Sequence, residues 1–340
     1  MSTQRMTLWL FLLIPMVGNT FAARLIDVGA LVNPDNPDGF KAVDLAVDAN
    51  TGIVSFLGNS ATGPAIAVID PSLNPSVSPL VNLIQLGGGG HAFGISPNGQ
   101  WVTGTSALDG SGTALLWSTV APDSRIELGY GPSTLVPGAK GYGVTNDGSV
   151  AGWSGHTAAA WGRGGGEATE LLPLNGDLTP GNAVAAAYAV ASEASVIVGD
   201  SSTPEWTGQV AVAWHGSTPV ELEDPYGFWS SGLGISPDAS FITGVINDLA
   251  EDRLALWSGT GELEALIGTY VDGSPFAGQG RDVSIAGVVV GSTTADTEGV
   301  IYMPGWTGVQ SIHSWALNEY GIDIGHSFSG EGLCTIPAWG

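Results

Sequence analysis

Residues 93–104 read Phe93-Gly94-Ile95-Ser96-Pro97-Asn98-Gly99-Gln100-Trp101-Val102-Thr103-Gly104, two short apolar runs around a Pro-Asn-Gly turn, closed by a glycine. The pattern returns at Tyr142-Gly143-Val144-Thr145-Asn146-Asp147-Gly148-Ser149-Val150-Ala151-Gly152 and at Leu233-Gly234-Ile235-Ser236-Pro237-Asp238, which leads to Phe241-Ile242-Thr243-Gly244. Looser copies run from Ala189-Val190-Ala191 to Val196-Ile197-Val198-Gly199 and from Asp282-Val283-Ser284 to Val288-Val289-Val290-Gly291. A degenerate first copy runs from Leu45-Ala46-Val47-Asp48 to Ser55-Phe56-Leu57-Gly58. The closing glycines at 58, 104, 152, 199, 244 and 291 are 46, 48, 47, 45 and 47 residues apart. So regular a period marks a repeat architecture.

A second piece follows each first one, a small apolar run ending in an aromatic. It reads Ala114-Leu115-Leu116-Trp117, Ala158-Ala159-Ala160-Trp161, Val210-Ala211-Val212-Ala213-Trp214 and Leu254-Ala255-Leu256-Trp257, with weaker forms at Ala65–Val68 and Val300–Met303. A fourth short run comes next, as in Arg125-Ile126-Glu127-Leu128 and Val220-Glu221-Leu222. Asn, Asp and Gly supply the left-handed backbone that tight hairpin turns need. No stretch shows the 3.6-residue period of a sizeable amphipathic helix. Four short antiparallel strands per repeat is the pattern of a β-propeller blade. A β-helix would want a shorter coil and a sandwich would not impose the period, so the expected fold is an all-β propeller of six complete four-stranded repeats.

The run His91-Ala92-Phe93 before Gly94-Ile95-Ser96, then Val-x-Gly and an Ala-x-x-Trp strand, resembles the HAF-repeat family of bacterial extracellular repeat proteins. The resemblance spans roughly residues 24–325 and implies export and a propeller-like array. It implies no activity, so no functional residues carry across. The domain plan is residues 1–22 as a signal peptide and 23–340 as one propeller. Its repeats fall near 40–88, 89–138, 139–183, 184–228, 229–276 and 277–320, before an irregular tail at 321–340. Repeat six has its own fourth strand in prospect around Val309 to Trp315. Arg24–Leu31 reads as a surplus fourth strand, which with the tail could form an incomplete seventh blade from both termini.

The signal-peptide reading rests on Arg5 before the apolar run Met6–Val17, then small residues and a cleavage site after Ala22. The run is shorter than the roughly 20 apolar residues that span a bilayer, so no membrane span is expected after cleavage. Location would be extracellular, or periplasmic in the alternative. The 340-residue chain carries 8 Lys+Arg against 32 Asp+Glu, a net charge of −24. Only 12% of its residues are charged, about half the usual share. Such a field repels nucleic acid and anionic membranes and keeps a monomer soluble. Cys334 is the only cysteine, which excludes an intrachain disulfide.

Chemistry-bearing residues are few. Trp117, Trp161, Trp214 and Trp257 share one repeat position and are expected to pack between sheets. Trp206, Trp229 and Trp306 break the pattern and are the candidate ligand-binding residues. Asn33-Pro34-Asp35-Asn36-Pro37-Asp38-Gly39 alternates oxygen donors, with Asp35 and Asp38 as candidate calcium ligands. It lacks the distal Glu of an EF-hand loop, and a Pro/Asn/Asp-rich turn explains it without metal; Asp44, Asp48 and Asn50 invite the same reading. The histidines, His91, His156, His215, His313 and His326, form no local pair of zinc-site spacing. Gly152-Trp153-Ser154-Gly155-His156 is not Gly-x-Ser-x-Gly, and Gly87–Gly90 has no following helix to cradle a phosphate.

No catalytic constellation stands out. The first functional expectation is a secreted, non-enzymatic binding or interaction scaffold without cofactor, its partner an extracellular protein or a glycan. The alternative is a secreted polysaccharide hydrolase or lyase with acidic residues in the propeller channel. A calcium-stabilised surface protein is the third.

Overall fold

The computed structural model describes residues 9–15, 21–27, 40–48, 51–60, 62–70, 80–108, 111–132, 138–178, 184–191, 195–203, 208–295 and 298–320. Six four-stranded antiparallel sheets follow one another along the chain, each made of four consecutive strands. They span residues 40–85, 91–128, 139–170, 185–221, 229–267 and 278–311, here blades 1 to 6. Together they form a six-bladed β-propeller, with the first strand of each blade innermost. The inner strands are Phe40–Val47, His91–Ile95, Ala139–Val144, Ala185–Val190, Trp229–Ile235 and Gly278–Val283.

The repeat piece read from sequence is the hairpin between the inner and second strands. In blade 2 the buried Ser96 hydroxyl donates to Asn98 Oδ1 (2.7 Å) and accepts the Trp101 N–H (3.0 Å). In blade 5 Ser236 does the same with Asp238 (2.8 Å) and the Phe241 N–H (3.0 Å). These side chains satisfy backbone groups that the turn leaves unpaired.

A blade cannot bury both of its faces alone, and the core lies between blades. One apolar cluster joins Leu57 and Ile66 of blade 1 to Ile95 and Trp117 of blade 2. Equivalent clusters tie blade 2 to 3, 3 to 4, 4 to 5 and 5 to 6. Trp117, Trp161, Trp214 and Trp257 are at most 2% exposed. Each indole N–H donates to a carbonyl in the connection leaving the preceding blade: Gly87, Gly129, Leu172 and Glu223, at 3.0, 2.6, 2.7 and 2.8 Å. The packing role expected of them holds, and a repeated hydrogen bond is added to it. A large apolar ring with one satisfied N–H suits a position that must be dry on one side and anchored on the other.

The two ends of the chain depart from the repeat. The fourth strand of blade 6 is only Gln310–Ser311, and Ile312–Tyr320 is a helix (α1) rather than strand through Trp315. Ser311 caps it, its hydroxyl accepting the Ser314 N–H (3.0 Å), and fully buried Ala316 lies on its core side. A Ser cap before Ala316 and Leu317 is local helix chemistry that overrides the strand pattern. At the N-terminus, Phe21–Asp27 pairs with Trp9–Pro15 in a two-stranded sheet of its own. The tail expected to complete a seventh blade, 321–340, lies outside the described residues.

Candidate functional site

Every inner strand carries one β-bulge against its neighbour. The register steps over Val43, Phe93, Tyr142, Tyr188, Leu233 and Arg281 in blades 1 to 6. A bulge re-aims the extra side chain, and here it turns one residue per blade toward the central axis. All six are half-buried. The closing glycines are the other half of this device. A Cβ on Gly104, Gly199 or Gly244 would stand 1.9 Å from an inner-strand carbonyl oxygen, that of His91, Ala186 or Ser231. The bulge brings backbone too close for any other residue.

The six axial side chains divide into two arcs. Phe93, Tyr142 and Tyr188 form a continuous aromatic wall, with ring centroids 5.3 and 5.6 Å apart and planes tilted by 39° and 55°. Behind it Asp200, 4% exposed, accepts hydrogen bonds from Tyr188 Oη (3.1 Å), Ser231 Oγ (3.2 Å) and Gln209 Nε2 (3.4 Å). Burial pushes the Asp200 carboxyl up to about 6 despite these donors. Burial first, and the Asp200 charge second, raise both tyrosine hydroxyls above their usual range.

The opposite arc holds Leu233, Arg281 and Val43, and charge gathers at the seams beside it. The residue after each bulge faces the next blade. It is small in blades 2 to 5: Gly94, Gly143, Ala189 and Gly234. A Cβ on Gly94 would meet the Tyr142 carbonyl oxygen at 2.2 Å, and one on Gly234 would meet that of Arg281 at 2.4 Å. In blades 1 and 6 the same place holds Asp44 and Asp282. Asp44 accepts the Leu45 N–H and, across the seam, the Ile95 N–H of blade 2, both at 2.8 Å. Asp282 accepts its neighbour Val283 N–H (2.9 Å). Burial, then the charge of Asp44 where blade 6 meets blade 1, pushes the Asp282 carboxyl up to about 8. Beside it the Gln279 amide, oriented to accept, takes hydrogen bonds from Arg281 Nη2 (2.5 Å) and Nε (3.3 Å).

Trp229 and Trp306 are both half-buried, in different blades and at opposite ends of the sheets. Trp229 opens the inner strand of blade 5, while Trp306 follows the third strand of blade 6 and packs against the blade 5–6 core. The structure does not bring them together. Trp206, Asp35 and Asp38 lie outside the described residues. Among the described residues no group of three or more His, Cys, Asp or Glu side chains could hold a metal ion. The apolar pattern does not reveal the axial residues, because aligning the repeats by it sets the fourth and sixth copies one residue late and the first, read from Leu45, two residues late. The structure aligns Tyr188-Ala189-Val190 and Arg281-Asp282-Val283 with Phe93-Gly94-Ile95.

No protein-family model matches the chain, and no curated protein is similar to it. Solved structures are similar in fold. TolB from Acinetobacter baumannii matches 79% of this chain at 12% identity with a TM-score of 0.38, and the chain covers 51% of that protein. Prolyl oligopeptidase B from Galerina marginata matches 85% at 8% identity with a TM-score of 0.52, and 44% of that protein is covered. Hydrazine synthase from Kuenenia stuttgartiensis matches 77% at 10% identity and 0.46, with 76% covered. The likeness to the oligopeptidase is one of fold, and the chain spans about half the length of TolB and less than half that of the oligopeptidase. Among the described residues no helix is long and apolar enough to cross a membrane.

Proposed function

We propose that this chain is a secreted binding scaffold of the HAF-repeat kind, working outside the cell or in the periplasm, and that its ligand enters the axial channel. One observation carries the reading. Six structurally equivalent, half-buried positions hold six side chains of four different chemistries, where packing alone would favour uniformity. Sites grafted on a common scaffold are recognised by such local asymmetry rather than by the fold. The test is a binding screen of the full chain against extracellular proteins and glycans, run beside Leu233→Trp, which adds bulk at a bulge position. A captured ligand lost in the variant supports the proposal. A ligand that the variant holds equally well contradicts it.

A second reading, a polysaccharide hydrolase or lyase, is favoured by Asp282 meeting Asp44. A carboxyl raised to about 8 keeps its proton at neutral pH and could serve as a general acid, with Asp44 as the second carboxyl. Reducing-end release from soluble polysaccharides that disappears in Asp282→Asn would establish this reading. No release from the wild-type chain would remove it.

A further inference from the structure

The binding reading leaves the ligand class open, and the axial side chains narrow it. Resting on that reading, we propose that the channel takes a neutral sugar ring, one pyranose unit of an oligosaccharide, laid against the Phe93–Tyr142–Tyr188 wall. Three contiguous, half-buried aromatic rings from adjacent blades, tilted by 39° and 55° to one another, offer stacking faces that suit a ligand face made of C–H groups. Other ligand classes mismatch one arc or the other. A wholly apolar ligand would strip water from Arg281 on the opposite arc and give it nothing in exchange. A simple cation would meet the Arg281 guanidinium. A polyanion would meet a chain of net charge −24.

A sugar ring satisfies both arcs at once. Its axial C–H groups cover the aromatic faces while its hydroxyl oxygens accept from the Arg281 guanidinium across the axis. Asp200 has a positioning role in this arrangement. Its bond from Tyr188 Oη (3.1 Å) fixes that ring at the end of the wall, and its bond from Ser231 ties the wall to blade 5.

The experiment is a glycan array probed with the full chain, with calorimetric titration of the best neutral oligosaccharide and of a uronic-acid oligomer as charged comparison. A neutral oligosaccharide is expected to bind, and Tyr142→Ala to weaken it by about tenfold. Tyr142→Phe keeps the stacking face and should stay within about threefold, which separates lost stacking from lost folding. Tyr226→Ala removes an exposed aromatic on the blade 4–5 connection and should change nothing. Sugar binding that follows Tyr226 rather than Tyr142, or a preference for the uronic-acid oligomer, overturns the inference. If no glycan binds but a protein partner is captured and lost in Leu233→Trp, the scaffold reading stands and the sugar inference falls. If nothing binds, both fall.

Discussion

The tryptophans at the ends of the third strands and the bulged residues of the inner strands both recur once per blade, yet the repeat has treated them differently. Four of six third strands carry Trp at or just before their last residue, each buried and each bonded to the connection from the blade before. The bulge position holds Val, Phe, Tyr, Tyr, Leu and Arg, all half-buried. A position that faces the same neighbour in every blade meets the same physical demand, so one residue answers it repeatedly. A position that faces the axis meets whatever occupies the axis, and no packing rule makes it uniform. In a ring of near-identical modules, variation at equivalent places is therefore a guide to function, and uniformity a guide to packing.

Substitutions can test this contrast in stages. Trp214→Ala should cost the most, about 3–5 kcal/mol, because it empties a fully buried site and orphans the Leu172 carbonyl; urea unfolding would read it. Gly199→Ala should cost about 1–3 kcal/mol as the added methyl forces the Ala186 carbonyl away and strains the bulge. Tyr142→Ala should cost less than about 1.5 kcal/mol of stability, since a half-buried ring loses contact with two neighbours but opens no sealed cavity. A loss at Tyr142 equal to that at Trp214 would show that both positions are packing.

The two raised carboxyls make a pH dependence a further test. Folded-state values of about 8 for Asp282 and about 6 for Asp200 lie above the ordinary carboxyl value near 4 that the unfolded chain would show. The native state therefore binds these protons more tightly, and stability falls as pH rises from about 4, through 6 for Asp200 and through 8 for Asp282. Melting temperatures measured across that range should decline, and Asp282→Asn should flatten the segment between about 6 and 8. A midpoint that rises over that segment would place Asp282 in a different environment.

Much of the architecture is legible in the residues themselves. Closing glycines at a 45–48-residue spacing give the blades, and Trp117, Trp161, Trp214 and Trp257 announce their packing by recurring at one place. The site is not legible, because a bulge is a register event between two strands and leaves no mark in the apolar pattern of either. Phe93 and Tyr142 stand within the recurring piece, but an offset of one residue hides Tyr188 and Arg281 from the same column. Asp44 and Asp282, distant in sequence, meet only because the ring closes. The helix Ile312–Tyr320 is hidden for another reason: a single Ser cap and a short local preference outweigh the expectation carried forward from five earlier blades.

The most direct test is to replace each of the six axial residues by serine in turn and to measure ligand affinity and unfolding free energy on the same samples. Affinity should fall at Phe93, Tyr142 and Tyr188 and at Arg281, while all six proteins stay folded. Six proteins that lose stability together and leave ligand affinity untouched would return the axis to ordinary core.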